Sequence, residues 1–291
     1  MPTRWLIFHV ASGQAFFAGA GCVIAAVGLS AYASRRGLRT VRNGLAAVGV
    51  VLAVASATPL ATWFAVVMGV VTSAWAVVEA LGGRTPSRVI GLRLAVVLLW
   101  LGAAGGEARH HARPALPRIH RPILGVVGDS LTAGTGEARV VGWPEILARE
   151  HGVSVRVHAR AGAGVATARE LAREVAADEN LVLLEIGGND LLGGTPVDRF
   201  EVELDRLLAA LARPGRVVVL MELPLPPTFH AFGRVQRSLA RRHGAILIPK
   251  RMLLGVLLRP GATSDTVHLT PEGARAMADA VWGIVRPAFV R

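Results

Sequence analysis

The strongest constraint on this 291-residue chain is its uneven composition. The stretch up to about Gly105 is rich in Ala, Val, Leu and Gly and carries few charges, whereas the rest alternates apolar runs with charged helical patterns. Four apolar stretches stand out, at 14–33, 44–60, 61–81 and 90–104. A helix crossing a hydrocarbon core ~30 Å thick needs about 20 residues at ~1.5 Å each. On that rise residues 44–81 would make one helix of about 57 Å, too long for a single crossing. Thr58-Pro59 falls near the middle, and proline disfavours helix in the residue before it. Two spans joined in a tight hairpin are therefore expected. The fourth stretch is short, and Arg93 is expected near its end, where it can snorkel to the interface. No buried charge of the kind that marks a transport path is expected in the spans. The first stretch is too long for a signal peptide, and further spans follow it. An all-α transmembrane region of about four helices is thus expected over residues 1–106.

Arginines set the expected orientation. The first connection carries Arg35, Arg36, Arg39 and Arg42, and the third carries Arg84 and Arg88 with Arg93 close by. Both should be cytoplasmic, because short basic loops stay inside. Four spans then place the C-terminal part outside, on the periplasmic or extracellular side of a bacterial inner or cell membrane; three spans would place it inside. The formal charge of +12 is explained by these flanking arginines. No zinc knuckle, aromatic RNA-binding motif or basic arm points to nucleic acid. The single cysteine, Cys22, lies in a predicted span; it excludes an intrachain disulfide and a multi-cysteine metal site. Residues 107–121 contain Pro114, Pro117, His110, His111 and His120, and read as an extended, solvated linker.

Residues 122–291 alternate strand and helix patterns. Strands are predicted at 123–127, 153–158, 181–186, 216–221 and 245–248, and helices at 142–151, 165–177, 197–212, 232–243 and 271–285. Five strands with intervening helices imply an α/β domain: a parallel sheet covered on both faces. Thr270 is a natural N-cap, Pro271 fits the first helical position and Glu272 suits the positive dipole end, so His268 falls on the loop just before the last helix. The flavodoxin-like strand order 2-1-3-4-5 would gather strand 1, strand 3 and that loop at one edge.

Chemistry-bearing residues sit at these strand ends. Gly128-Asp129-Ser130-Leu131 follows the first strand and puts a hydroxyl on a sharp turn, where ligands of open α/β sheets bind. Asp129 alone reads as a turn residue. Gly187-Gly188-Asn189-Asp190 follows the third strand. The Asn189 amide can donate to an oxygen gaining negative charge, worth roughly 3–4 kcal/mol of barrier, whereas Asp190 reads as structural, tying down its loop. Asp265-Thr266-Val267-His268 offers an imidazole able to take and return a proton near neutral pH. A carboxylate three residues earlier can fold back on the other ring nitrogen and hold the tautomer. Ala161-Gly162-Ala163-Gly164 lets a backbone N–H approach the same oxyanion, from Gly162 or alternatively Gly164. This turn lacks the spacing of a dinucleotide fingerprint and the lysine of a P-loop.

Together these strings resemble the GDSL/SGNH hydrolase family, and most closely its lipolytic branch of the thioesterase I/lysophospholipase L1 type. The resemblance covers roughly 122–290 and includes Gly142-Trp143-Pro144 and Leu269-Thr270-Pro271-Glu272-Gly273. It implies a three-layer α/β/α fold with Ser130 as nucleophile, Asp265 and His268 completing the triad, and Ser130, Gly162 and Asn189 as oxyanion donors. The second block of the family usually opens with Asn, and His158 stands there instead. The expected reaction is two-step ester hydrolysis through an acyl-enzyme, needing no metal or organic cofactor. The bilayer is the other expected partner, and lipid-like acyl esters are the expected substrates, with Leu131, Leu223, Leu254 and Val267 as candidate lining residues. The alternatives are an O-acetylesterase acting on envelope glycans, acyl transfer to a non-water acceptor, and a binding protein that keeps the fold without catalysis.

Overall fold

The computed structural model describes residues 2–32, 36–81, 86–134, 141–265 and 268–289. The chain folds into two compact units: a helical unit, Met1–His111 with Leu225–His230, and an α/β unit, Ala112–Pro224 with Ala231–Arg291.

The helical unit contains α1 (Pro2–Ala11), α2 (Gln14–Ser30), α3 (Arg36–Ala55), α4 (Thr62–Ala80) and α5 (Pro86–Ala108). Three of them, α3, α4 and α5, are long and apolar enough to cross a membrane. A fourth crossing is available if α1 and α2, bent by 81° at a short break, form one span. The break between α3 and α4 brackets Thr58-Pro59, as the proline requires. The hairpin, however, is not tight. Helix α3 packs on α2, α4 packs on α5, and a cavity of about 490 Å3 lies between α3 and α4, lined in part by Arg42, Trp75 and Glu79. The α2–α3 crossing is close because Gly19 and Gly49 face each other: a Cβ on Gly19 would stand 2.5 Å from the Gly49 carbonyl oxygen. Small residues permit such backbone approach between membrane helices.

Two span boundaries differ from expectation. Helix α3 begins at Arg36 and takes Arg39 and Arg42 into itself, and α5 runs for 23 residues rather than fifteen or so. The cause is pairing. Arg42 Nη1 lies 3.0 Å from Glu79 Oε2, Arg93 Nε lies 2.6 Å from Glu79 Oε1, and Arg93 Nη2 donates to the Ser30 carbonyl at 3.0 Å. Arg93 therefore folds inward instead of snorkelling at a helix end. This buried network overturns the expectation of spans without internal charge. Opposite charges that neutralise one another are the form in which such groups survive inside a membrane.

The α/β unit is a five-stranded parallel sheet of order β2-β1-β3-β4-β5, made of β1 (Ile123–Gly128), β2 (Ser154–Ala159), β3 (Leu181–Glu185), β4 (Val217–Met221) and β5 (Ile246–Ile248). This is the expected flavodoxin-like order. Every residue of β3 is buried, as a central parallel strand covered on both faces should be, whereas the edge strand β2 is half exposed. Alternation sends Leu124, Val126, Leu181, Leu183, Val219 and Met221 into one core with Trp143 and Leu147 of α7 (Trp143–His151) and Met277, Val281 and Val285 of α13 (Pro271–Phe289). The helices α8 (Val165–Leu171), α10 (Val197–Leu211), α11 (His230–Arg242) and α12 (Lys250–Leu257) complete the main layers. Two short helices, α6 (Ser130–Ala133) and α9 (Gly188–Leu192), cap the ends of β1 and β3. The segment before β1 is not simply solvated: Leu116 is buried in the same core, and the Ile119 amide donates to the Ala288 carbonyl at 3.1 Å.

Candidate active site

Parallel register aligns Gly128, the last residue of β1, with Glu185, the last of β3. The order reverses between these two strands, and ligands of open α/β sheets bind at that switch point. Ser130 opens α6 there and is partly exposed. Asp129 caps the helix, its Oδ1 accepting the Leu131 amide at 2.9 Å. Gly128 is required by a close approach: a Cβ would collide with the Thr132 hydroxyl and stand 3.2 Å from Glu185 Oε2.

The loop after β2 reaches the same place. The Arg160 amide donates to the Gly128 carbonyl at 3.2 Å. Gly162 adopts φ +75° with open space where a side chain would be. Gly164 has a different duty. A Cβ there would come within 3.0–3.2 Å of the Asp190 carboxylate, which accepts the Val165 amide at 2.8 Å and so holds the start of α8. Asn189, on α9, ties the loops together: its Nδ2 donates to Asp129 Oδ2 at 3.1 Å and to the Ala163 carbonyl at 3.0 Å. Three chain segments far apart in sequence thus meet at one sheet edge through direct hydrogen bonds.

Asp265 and His268 form the fourth element. Asp265 Oδ2 lies 2.6 Å from His268 Nδ1, and its Oδ1 accepts the His268 amide at 2.7 Å. The loop is braced on α13 by Thr270, which accepts the Gly273 amide at 3.1 Å and donates to the Gly261 carbonyl at 2.6 Å. The pair is open to solvent, with side-chain exposures of 34% for His268 and 52% for Asp265. Among the described residues the Ser130 hydroxyl makes no hydrogen bond to His268. Of the candidate lining residues, Leu223 and Leu254 are buried, Leu131 is partly buried against the core, and Val267 lies outside the described residues.

Two residues beneath the turn escape a reading by motif. The Thr132 hydroxyl donates to Glu185 Oε2 at 3.0 Å, and the buried Glu185 carboxyl neighbours that of Asp129. Burial pushes the Glu185 carboxyl well above its ordinary range and the neighbouring Asp129 charge pushes it further. Burial also raises Asp129, against the pull of the Leu131 amide. The sequence does carry a signal: Glu185 is the one acid in the run 181–186, which is otherwise Leu, Val and Ile.

A parallel sheet with a serine turn, an asparagine and an Asp/His pair at the carboxyl ends of its strands and the loop before its last helix defines a class, the serine hydrolases with a flavodoxin-like frame. The sequence profile of the GDSL-like lipase/acylhydrolase family matches residues 126–276, just over half of the chain, and the chain belongs to that family. It is similar to esterase TesA of Pseudomonas aeruginosa, 30% identical over 175 residues that make up 56% of this chain and 87% of that protein. It is also similar to thioesterase 1/protease 1/lysophospholipase L1 of Escherichia coli K12, 26% identical over 163 residues, 53% of this chain and 78% of that one. A crystal structure of TesA superposes with a TM-score of 0.50 at 27% identity, covering 57% of this chain and 99% of that one. These likenesses identify a carboxylic ester hydrolase of the GDSL type.

Proposed function

We propose that this protein is a membrane-anchored esterase that cleaves lipid-like acyl esters, with Ser130 as nucleophile, His268 as general base and Asp265 orienting His268. The observation that carries the reading is the bonding of Asn189 to both the serine turn and the Gly162-Ala163 loop. His268 takes the Ser130 proton as the serine oxygen bonds to the acyl carbon, and gives that proton to the leaving alcohol when the ester bond breaks. Water, deprotonated by His268, then attacks the acyl-enzyme; the acid leaves and Ser130 regains its proton. Hydrogen bonds of this kind tighten when substrate binds, which suits an exposed His268 at rest. The backbone N–H groups of Ser130 and Gly162 serve the oxyanion, joined by one Asn189 N–H that is released from Asp129 or from the Ala163 carbonyl when substrate binds. Open backbone at φ +75° supports Gly162 in this role, and the contact with Asp190 gives Gly164 a structural one.

Ser130→Ala in the full chain should lower p-nitrophenyl ester hydrolysis by at least about a thousandfold and remove labelling by fluorophosphonates; turnover retained in this variant refutes the assignment. Comparing acetyl with octanoyl and longer esters tests the substrate class. Rejection of long chains would sink the lipolytic reading in favour of O-acetyl groups.

A further inference from the structure

We infer that Glu185 is a positioning residue for the nucleophile. From the end of β3 it ties down Thr132 and Asp129 together, and so fixes both the turn that presents Ser130 and the aim of the Asn189 amide. The inference rests on the reading of Ser130 as nucleophile.

The wiring is direct. Glu185 is 2% exposed. One of its oxygens accepts from Thr132 in α6, and its carboxyl neighbours that of Asp129, which in turn holds the Leu131 amide and the Asn189 side chain. Two neighbouring buried carboxyls avoid repulsion by sharing a proton, because an ionised carboxylate is acceptor only. The fully dry site favours the neutral form on Glu185. A neutral acid there donates through its O–H to Asp129 while its other oxygen accepts from Thr132. Asp129 then stays ionised, and an ionised Asp129 is what accepts two N–H groups at once. The titratable groups that act on Asp129 from outside this cluster are His268, which favours its ionised form, and Asp190, which opposes it. Gly128 completes the cradle by leaving room for the Thr132 hydroxyl.

Glutamine at this position keeps one donor and one acceptor in nearly the same shape, whereas methionine keeps the volume and neither bond. In the full chain, Glu185→Gln should retain kcat within about threefold, while Glu185→Met should lose roughly ten- to a hundredfold in kcat with KM little changed, as expected when a nucleophile is displaced by a fraction of an ångström to about 1 Å. The rate of Ser130 phosphonylation should fall in parallel. Thr132→Val cuts a single bond and should fall between the two; it decides the matter if Glu185→Met fails to fold by circular dichroism. Wild-type kcat in Glu185→Met, or in Thr132→Val where that variant decides, or Glu185→Gln as poor as Glu185→Met, overturns the inference. Full ester turnover in Ser130→Ala would instead overturn the underlying assignment of the nucleophile.

Discussion

At the scale of single residues, the site separates acids by environment. Glu185 and Asp129 are buried, and Asp265 is open to water. A buried acid whose folded-state value is raised contributes stability that is complete below its unfolded value and is lost as pH climbs through the folded one. For Glu185 that loss begins above the ordinary 4.5. Glu185→Gln removes the titration, so its melting temperature should gain on the wild type as pH is raised from about 4.5 towards neutrality. A difference constant across that range would show that the carboxyl titrates alike in the folded and unfolded chain, with no raised value in the fold. The sequence announces Ser130, Asn189, Asp265 and His268 through their places at element ends. It does not announce Asp129 as the hub, because that role depends on the register of β1 against β3, and a residue sixty positions away supplies the partner. Glu185 stands out only as an acid at the tip of an apolar strand.

At the scale of elements, apolar runs mark all five strands, and helical spacing marks the long helices. Phe200, Leu204, Leu207, Leu208 and Leu211 of α10 are all buried, the stripe that a 3.6-residue period produces. Leu204 is fully buried, so Leu204→Ala should cost the α/β unit about 3 kcal/mol, measured by denaturant unfolding or hydrogen exchange. The elements that sequence patterning misses are α1, α6, α9 and α12, too short or too mixed to show a period. The differing ends of α3 and α5 have one origin: arginine in sequence reads as a boundary marker, whereas Glu79 on another helix neutralises it within the bundle. The α2–α3 crossing gives an independent check. Gly19→Leu should lower the melting temperature of the detergent-solubilised protein, because its Cβ meets the Gly49 carbonyl; Gly21→Leu, which meets nothing within 4 Å, should not. Equal effects of the two would deny the close crossing.

At the scale of the whole molecule, three helices long and apolar enough to span a bilayer accompany an esterase fold. Arg88 and Arg93 lie in the first part of α5, and from the positive-inside rule we propose that this end faces the cytoplasm and the opposite end, with the chain that follows, the outside. Alkaline phosphatase fused at Arg291 should therefore be active in a bacterial host; activity only from a cytoplasmic reporter at the same position would reverse the topology. Solvent divides the proposed catalytic apparatus into two zones. The imidazole and its aspartate stand in water, where dissolved salt, buffers and small reagents act on them freely. The cradle below the serine is dry and beyond the reach of all of these, so medium can tune how protons move in this enzyme while the aim of its nucleophile stays the same.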